Sequence, residues 1–490
     1  MKYIMRNHII EISILSALLL SGCATPEASI AKLETPLSIT YHYAEAEKIA
    51  SDEIEWWKNF NDPILTDLIE KGLNNNHDIR TAMTRITAAD AMRDVQASRL
   101  LPTINLQASA SKSRSGFPQA VKQGLPDIRA YNIGLGLDWE IDIGGGLRAA
   151  KSAAESDAMA AEYGVVGAQL VISSEIARNY FTLRAAQERL KLVEALAATQ
   201  HESAYVVSRR YAQGQSSQFD LDIAEAGADT LDAQIPQLRV WVATLQSQIA
   251  VLVGENPSSC AVQDTPDYSW PKSQIIGVSQ PSDLLRRRPD LMAAESHYSA
   301  ESLRSKEAQS QTWPKLFVNA LVGRQDFRIN GLDLAPVSFS NVAAAFVMPI
   351  FNAGRIQAGI DAQNAQENEA LIAWQKSVLT AVKEVEDSLI VQSEEIKRGE
   401  KVKAALNRES HALKATQSLY REGQIDKLTL LDIQRVVLGS KLALSDHELQ
   451  RLLSDVQLYK ALGGGWSSEN KAKTVSDSNS SNPIKVSSNE

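Results

Sequence analysis

The chain has 490 residues, in which 59 Asp and Glu outnumber 50 Lys and Arg and leave a formal net charge of −9. Nucleic-acid binding needs clustered Lys and Arg, and no basic stripe occurs along the chain, so a nucleic-acid partner is excluded. The 2 cysteines are too few for a disulfide scaffold or a cysteine-based zinc module. The 7 histidines are scattered without ligand spacing, and the sequence predicts neither a metal site nor a cofactor.

The N-terminus predicts export. A charged start (Lys2, Arg6) precedes an apolar run over residues 12–20, which has the length of a secretory signal and is shorter than the about 20 residues of a spanning helix. The run ends in Leu20-Ser21-Gly22-Cys23, which resembles the lipobox of bacterial lipoproteins. The resemblance implies a signal peptide over 1–22 and a lipid on Cys23, and Ala24 in place of a retention aspartate implies sorting to the outer membrane. An ordinary cleavage site beside a chance cysteine is the alternative.

Two halves of the sequence follow one plan. Asp78 and Pro102 recur as Asp290 and Pro314 at a constant offset of 212 residues, and the segment 211–215 recurs at 420–424. This self-similarity predicts two internal structural repeats per chain. We place repeat 1 at 63–262 and repeat 2 at 263–466, after an extended lipid-anchored segment (23–62) and before a disordered tail rich in Ser and Asn (467–490).

Four segments alternate apolar and polar residues with the period of a β-strand. The clearest is 131–142, where the alternation has no exception: Tyr131, Ile133, Leu135, Leu137, Trp139 and Ile141 are its apolar residues. The segment has 12 residues, which is longer than the usual strand of a soluble protein. This length is close to that of a tilted membrane strand, which has about 9–11 residues. Strands are predicted at 103–112, 131–142, 315–324 and 339–350, the last two partly from the repeat.

Long helices follow the strand pairs. Residues 146–211 and 354–420 contain no proline, so each run predicts one helix of about 65 residues, or roughly 95 Å. We place these helices at about 147–211 and 355–420, with returning helices at about 219–253 and 428–461. Apolar residues along 172–197 and 231–252 step by four and three, as in a coiled-coil seam. Pro236 falls inside the first returning helix and is predicted to kink or interrupt it.

The strand at 131–142 carries three carboxylates on its polar face, Asp138, Glu140 and Asp142. An apolar face and an acidic face suit lipid on one side and water on the other, so these side chains are predicted to line a cation-preferring lumen. A solvated loop edge is the alternative. Four strands cannot close alone, because membrane barrels begin at about eight strands and lipid does not tolerate an open sheet edge. Three chains would supply 3 × 4 = 12 strands, so a homotrimer is favoured over a dimer, whose about eight strands leave no open pore.

Five motifs resemble the TolC-like outer-membrane efflux family, in its NodT-type lipoprotein branch. They are Trp56-Trp57-Lys58-Asn59-Phe60-Asn61-Asp62-Pro63, Leu252-Val253-Gly254-Glu255-Asn256-Pro257, Leu284-Leu285-Arg286-Arg287-Arg288-Pro289-Asp290, Pro349-Ile350-Phe351-Asn352-Ala353-Gly354-Arg355 and Ala461-Leu462-Gly463-Gly464-Gly465-Trp466. The resemblance implies a mixed α and β fold: a trimeric outer-membrane β-barrel, four strands per chain, continued by a long periplasmic α-helical barrel. It further implies a passive efflux channel that contacts outer-membrane lipid, a periplasmic membrane-fusion adaptor and a resistance-nodulation-division pump of the inner membrane.

The resemblance also assigns roles at the periplasmic tips. Asp432 matches an aspartate that forms a ring of three carboxylates at the closed entrance, and Asp220 and Tyr420 match a pair that links neighbouring coils. Ile425 stands where some members carry an arginine that completes this link, so closure here is expected to use fewer bonds or to involve Lys427. The repeats are predicted to turn at Gly214 and Gly423, which accept positive φ and lie where an adaptor would dock. The alternative is that all are solvated turn or docking residues.

Other classes fit less well. Gly134-Leu135-Gly136 lacks the third glycine of a dinucleotide loop, no Gly-x-Ser-x-Gly occurs and no histidine is placed to activate a nucleophile, so no enzyme is predicted. A non-transporting periplasmic coiled-coil lipoprotein scaffold would have no use for the strand at 131–142. The outer-membrane duct of a type I protein secretion system shares the predicted fold and stays an alternative. The sequence does not name the exported compound.

Overall fold

The computed structural model describes residues 55–114, 128–258, 280–329 and 332–464, with short stretches at 32–33, 36–38, 40–43 and 268–272 and the single residues 116, 118, 262 and 277. The predicted signal peptide, Cys23, Cys260 and the predicted tail lie outside these residues. The chain divides into two compact units. The first comprises residues 1–33, 84–162 and 293–375, and the second comprises 34–83, 163–292 and 376–490.

The first unit contains an antiparallel sheet. Its strands are β1 (Thr103–Ser113), β2 (Ile128–Ile141), β3 (Lys315–Ile329), β4 (Leu332–Asp333) and β5 (Val337–Val347). β2 pairs with β1 and β3, and β3 pairs in turn with β4 and β5. Strands from both halves of the sequence therefore meet at the β2–β3 pair, through 14 aligned residue pairs from Ile128↔Ile329 to Ile141↔Leu316.

Two strand predictions need correction. β3 extends to Ile329 rather than ending at 324. Charged residues occupy one side of the strand from 324 onward, so the apolar alternation that marks its first part does not continue there. The short β4 was not predicted; it is held by Arg328, whose guanidinium forms an ion pair with Asp333. β5 ends at Val347 rather than 350, and Pro349 accounts for this because its nitrogen cannot donate to a strand ladder.

The helices repeat in length as well as in order. They are α1 (Pro63–Asn75), α2 (His77–Ser98), α3 (Gly146–Ala212), α4 (Gln218–Leu252), α5 (Leu284–Arg287), α6 (Pro289–Ser310), α7 (Arg355–Arg421) and α8 (Lys427–Ala461). α2 and α6 have 22 residues each, α3 and α7 have 67 each, and α4 and α8 have 35 each. The two predicted repeats and the mixed α and β fold are confirmed. No helix in the described ranges is long and apolar enough to cross a membrane.

The helices of the second unit enclose one apolar core. Asp62 starts α1 by accepting hydrogen bonds from the backbone N–H groups of Ile64 (3.0 Å) and Leu65 (3.1 Å), and Pro63 fills the first helical position, where no donor is needed. The same carboxylate accepts a hydrogen bond from the Tyr180 hydroxyl at 2.8 Å, which fixes α1 against α3. The largest fully buried side chains around this contact are Trp56, Leu65, Ile69, Ile79, Ile176, Tyr180, Phe181, Leu183 and Ile249.

Pro236 does not interrupt its helix. α4 is continuous from Gln218 to Leu252 with the proline inside it. Pro236 and Asp232, whose carbonyl loses its helical donor, both lie on the exposed face. Water can therefore replace the missing hydrogen bond, which is why the helix tolerates the ring.

The α7–α8 contact includes a buried seam of polar side chains. Four α8 residues on one face are buried: His447, Glu448, Arg451 and Asp455. His447 Nδ1 lies 2.9 Å from Glu395 Oε2, Glu448 pairs with Lys403 at 2.9 Å, and Asp455 accepts a hydrogen bond from Gln392 at 2.8 Å. Arg451 joins this seam by bonding both Glu448 (2.9 Å) and Asp455 (3.3 Å).

Asp455 should make the stability of this seam depend on pH. Burial raises the pKa of its carboxyl to about 6, above the ordinary value of 3.8, so the folded protein takes up a proton that the unfolded chain does not hold. The ionised carboxylate thus costs stability above pH 6, and that cost disappears as the pH falls from 6 towards 4. We expect Asp455→Asn to raise the free energy of unfolding by about 2 kcal/mol at pH 8 and by little at pH 4.5. Denaturant titration at both pH values measures this, with Asp446→Asn as control, a half-exposed carboxylate of α8 that pairs with Arg189; an equal gain at both would contradict it.

Candidate functional site

The three predicted lumen carboxylates have different environments in the first unit. Asp138 is exposed on β2 and accepts a hydrogen bond from Asn319 Nδ2 on β3 at 2.5 Å. Glu140 forms an ion pair with Lys315 at 3.0 Å, which offsets its charge. Both lie on the face opposite Tyr131, Ile133 and Leu135, as strand alternation requires.

Asp142 is a helix cap rather than a free carboxylate. Its oxygens accept hydrogen bonds from the backbone N–H groups of Leu147 (3.1 Å) and Arg148 (2.9 Å) in the first turn of α3, and it pairs with the Arg148 guanidinium at 3.1 Å. The side chain is 11% exposed. The structure therefore separates Asp142 from Asp138 and Glu140. Asp142 lies four residues before Gly146, the first residue of α3, and so outside the N-cap position at which a capping residue is recognised in a sequence.

The other face of the sheet is exposed and mostly apolar, with the charged residues Arg324, Asp326 and Arg328 at the end of β3. Strand register aligns its residues in rows across the strands, for example Leu106, Leu135 and Val322. Eight of its apolar side chains expose half or more of their surface: Ile104, Leu106, Tyr131, Ile133, Leu135, Val322, Val342 and Phe346. A contiguous apolar face of this size marks a surface that contacts lipid or protein rather than water.

In the second unit the turn between α3 and α4 holds Asp220 in a capping box. Gly214 has φ +69°, as the predicted turn requires. Asp220 accepts hydrogen bonds from the Ser217 N–H (2.9 Å) and from the Ser217 and Ser216 hydroxyls (2.7 and 3.1 Å), while its own N–H donates to Ser217 Oγ. These bonds, the backbone one first, lower the pKa of the Asp220 carboxyl. Asp220 therefore shapes the tip turn within its own chain.

The turn between α7 and α8 is capped and tied to repeat 1. Gly423 has φ +73°, and Asp426 caps α8 by accepting from the Thr429 hydroxyl and N–H. The Arg210 guanidinium of α3 also donates to Asp426 at 2.9 Å. The Thr429 bonds and then the Arg210 bond lower the pKa of Asp426 to about 2.

Tyr420 and Asp432 contact basic residues of the same chain. Lys427 Nζ lies 5.5 Å from the centroid of the Tyr420 ring and forms an ion pair with Glu202 at 2.8 Å. Asp432 forms an ion pair with Arg435, one turn along α8. Within the described residues, no hydrogen bond joins Asp220 to Tyr420.

Comparison of the sequence with known protein families identifies the family of this chain. The model of the outer membrane efflux protein family matches residues 68–255 and 280–464, most of the chain. The chain belongs to this family. Its two matched segments correspond to the two repeats, and membership makes the chain an outer-membrane efflux channel rather than a soluble scaffold.

Family members of known role are similar over nearly their whole length. The pyoverdine export outer membrane protein OpmQ of Pseudomonas aeruginosa is 29% identical over 95% of this chain and 99% of its own. The toluene efflux pump outer membrane protein TtgC of Pseudomonas putida is 28% identical over 92% and 94%. The outer-membrane channel OprN superposes with a TM-score of 0.77 at 27% identity, covering 90% of this chain and 98% of that one. The Campylobacter jejuni CmeC channel, at 21% identity and a TM-score of 0.82, shares the fold.

Sequence reasoning missed the basic residues that hold the efflux protein's tip together. Arg435 donates to Gln200 Oε1 as well as to Asp432, and Gln200 Nε2 donates to the Ala224 carbonyl at 3.1 Å. One glutamine thus joins α3, α4 and α8. The i, i+3 spacing of Asp432 and Arg435 is the one sequence signal that indicates part of this network.

Proposed function

We propose that three copies of this chain form the outer-membrane duct of a tripartite pump, with a periplasmic adaptor and a resistance-nodulation-division pump as partners. The exposed apolar face of the sheet is the main support for this proposal. In the described residues β1 pairs only with β2, and β5 pairs only with β3, so two edges stay open. Lipid excludes open edges, and three copies of the four long strands would pair them in a closed barrel.

Small molecules are the proposed cargo. Similarity to a pyoverdine export protein and to a toluene efflux protein supports this over protein secretion. Native mass spectrometry of the full-length protein extracted from outer membranes tests the assembly, and co-purification with a periplasmic membrane-fusion adaptor tests the partners. A monomer in lipid-containing detergent would contradict the proposal.

Asp138 and Glu140 are proposed to face the aqueous lumen. They lie on the face opposite the apolar one, and the partner of Asp138 is the uncharged amide of Asn319. Because Glu140 is paired with Lys315 and Asp142 caps α3, the proposed cation preference depends mainly on Asp138.

Cys23 is proposed to carry the lipid anchor. If the lipobox is used, Cys23→Ser should leave the precursor uncleaved by the lipoprotein pathway. Mass spectrometry of the mature N-terminus measures this, with Ser21→Ala as a control that keeps the cysteine and a small residue before it. An unmodified cysteine at the mature N-terminus would show that the lipobox assignment is wrong.

The tip residues are proposed to hold the periplasmic entrance closed, with Gly214 and Gly423 in the turns that meet the adaptor. We expect Tyr420→Phe with Asp220→Asn to shift the isolated trimer from mostly closed to mostly open, because the pair would lose its link between neighbouring chains in all three copies. Asp432→Asn should weaken block by multivalent cations. Conductance in planar bilayers measures both.

The control for the tip variant separates closure from capping. Ser217→Ala weakens the same α4 cap but leaves Tyr420 and the Asp220 carboxylate in place. It should conduct like the wild type. If Ser217→Ala opens the channel as much as the double variant, the Asp220–Tyr420 link is not the closing contact.

A further inference from the structure

We infer, on the basis of the proposed trimeric duct, that the periplasmic entrance opens between neighbouring chains, where α4 of one copy packs on α7 of the next, and not within a chain. Contacts in the second unit give the order of the four long helices. Gln200 Nε2 of α3 donates to the Ala224 carbonyl of α4, Arg189 of α3 pairs with α8, and the polar seam joins α8 to α7. The order is therefore α4, α3, α8, α7, with α4 and α7 as the outer helices.

α4 has an exposed face with the spacing of a coiled-coil seam. Its residues step by four and three along the helix, and all of them are exposed: Phe219, Ile223, Ala226, Thr230, Ala233, Gln237 and Val240. Apolar side chains at this spacing on a helix surface indicate a helical partner.

α7 has a face that can be this partner in a second copy. Its exposed residues recur every seven positions: Val391, Arg398, Ala405 and Ala412. In a closed ring of identical copies, one outer helix of each chain meets the other outer helix of the next. The exposed face of α4 is therefore assigned to α7 of a neighbouring copy.

Within a chain, four polar bonds join α3 to α8. They are Arg189 with Asp446 (3.2 Å), Gln200 with Arg435, Glu202 with Lys427 (2.8 Å) and Arg210 with Asp426 (2.9 Å). The bonds extend from residue 189 to the tip turn, so this contact is held along the lower part of both helices.

The internal repeat identifies the equivalent positions at the contact between copies. α3 and α7 begin 209 residues apart (355 − 146), and so do α4 and α8 (427 − 218). α7 should therefore meet α4 of the next copy as α3 meets α8. The equivalent pairs are Arg398 with Gln237, Glu409 with Ala226, His411 with Gln218 and Leu419 with Ser217. Each pair has at least one uncharged side chain, so none of them can form an ion pair.

The two contacts therefore differ in strength. An exposed ion pair is weak by itself, but several on one contact and none at the equivalent positions of the other determine which contact separates first. The four helices of a chain should move together, and the α4–α7 contact between copies should widen.

Crosslinking of the full-length protein tests the contact. In a Cys260→Ser background, Thr230→Cys and Ala405→Cys each lie seven residues from the Arg398–Gln237 level, and a short bismaleimide should join them between chains into a covalent trimer. Thr230→Cys with Val391→Cys is the control, because Val391 lies exposed on the same face about 21 Å further along α7. It should not crosslink.

The outcomes separate this inference from the proposed assembly. Crosslinks within one chain, or equal yields for both cysteine pairs, would overturn the inference while the trimer seen by native mass spectrometry stands. A protein that is monomeric before crosslinking would contradict the trimer and the inference with it.

Conductance in planar bilayers tests where the entrance opens. Gln237→Lys should raise the conductance of the isolated trimer several-fold, because the new lysine meets Arg398 of the next copy at all three contacts. Adding Arg398→Glu should restore the wild-type value. Arg189→Ala removes one bond of the α3–α8 contact and should leave the conductance unchanged. An unchanged conductance in Gln237→Lys, no restoration by Arg398→Glu, or an equal increase in Arg189→Ala would each overturn the inference.

Discussion

Arg288→Ala is expected to lower the free energy of unfolding by about 3 kcal/mol, because a buried guanidinium with several partners is removed. Arg288 is 8% exposed. Its Nη1 donates to Glu384 of α7 (2.7 Å) and to the carbonyl of Ala461 at the end of α8 (3.1 Å), and its Nη2 donates to Asp290 (2.8 Å). One side chain thus joins the start of α6 to both helices of the α7–α8 pair.

Two variants check that explanation by thermal and denaturant unfolding. Arg288→Lys keeps the charge but cannot make all these bonds at once, so it should lose roughly half as much stability. Arg286→Ala removes an exposed arginine of the same motif and should change stability by about 0.5 kcal/mol or less. If Arg288→Ala and Arg286→Ala unfold alike, Arg288 does not join these helices.

Gly323→Val should prevent the sheet from forming, with a loss of about 3 kcal/mol or more from overpacking. A Cβ atom at Gly323 would lie 2.4 Å from the Ile133 carbonyl oxygen, 2.8 Å from Gly134 Cα and 2.9 Å from the Phe339 ring. Gly323 and Gly134 are direct partners in the β2–β3 register. Backbone occupies two of these three positions, so only separation of the central strands could make room.

The measurement is the yield of heat-stable oligomer in outer membranes. The matched control is Ala344→Val, which adds two methyl groups at an exposed position of β5 on the apolar face. It should assemble normally because lipid can accommodate the added volume. Normal assembly of Gly323→Val would contradict the close approach of β2 and β3.

The sequence predicts those helices and strands whose residue pattern has a single physical cause. The alternation at 131–142 predicted β2 because each residue there faces either an apolar or a polar surface. The absence of proline predicted helices of about 65 residues, and the structure has helices of 67. Pro236 does not interrupt α4, because the carbonyl that loses its hydrogen bond lies on the side of the helix that faces water. Which side of the helix faces water is determined by tertiary packing and not by the local sequence.

The candidate site was less predictable, because it depends on partners distant in sequence. Asp142 lies on the polar side of the strand pattern, as a lumen carboxylate would. Its oxygens nevertheless accept hydrogen bonds from the backbone N–H groups at the start of α3. The buried polar seam of α8 has the sequence of a solvated face, because Glu448, Arg451 and Asp455 meet groups 45 to 180 residues away, namely Lys403, Gln392 and the Pro271 carbonyl. No local pattern contains such pairings.

The reversal potential of the purified trimer in planar bilayers under a KCl gradient tests most directly whether this chain forms a channel with an acidic lumen. We predict discrete conductance steps and a reversal potential whose sign corresponds to cation preference. In Asp138→Asn the reversal potential should shift towards zero. An anion-selective channel, or a folded trimer that inserts and conducts no ions in either the wild type or the Tyr420→Phe, Asp220→Asn variant, would contradict the account.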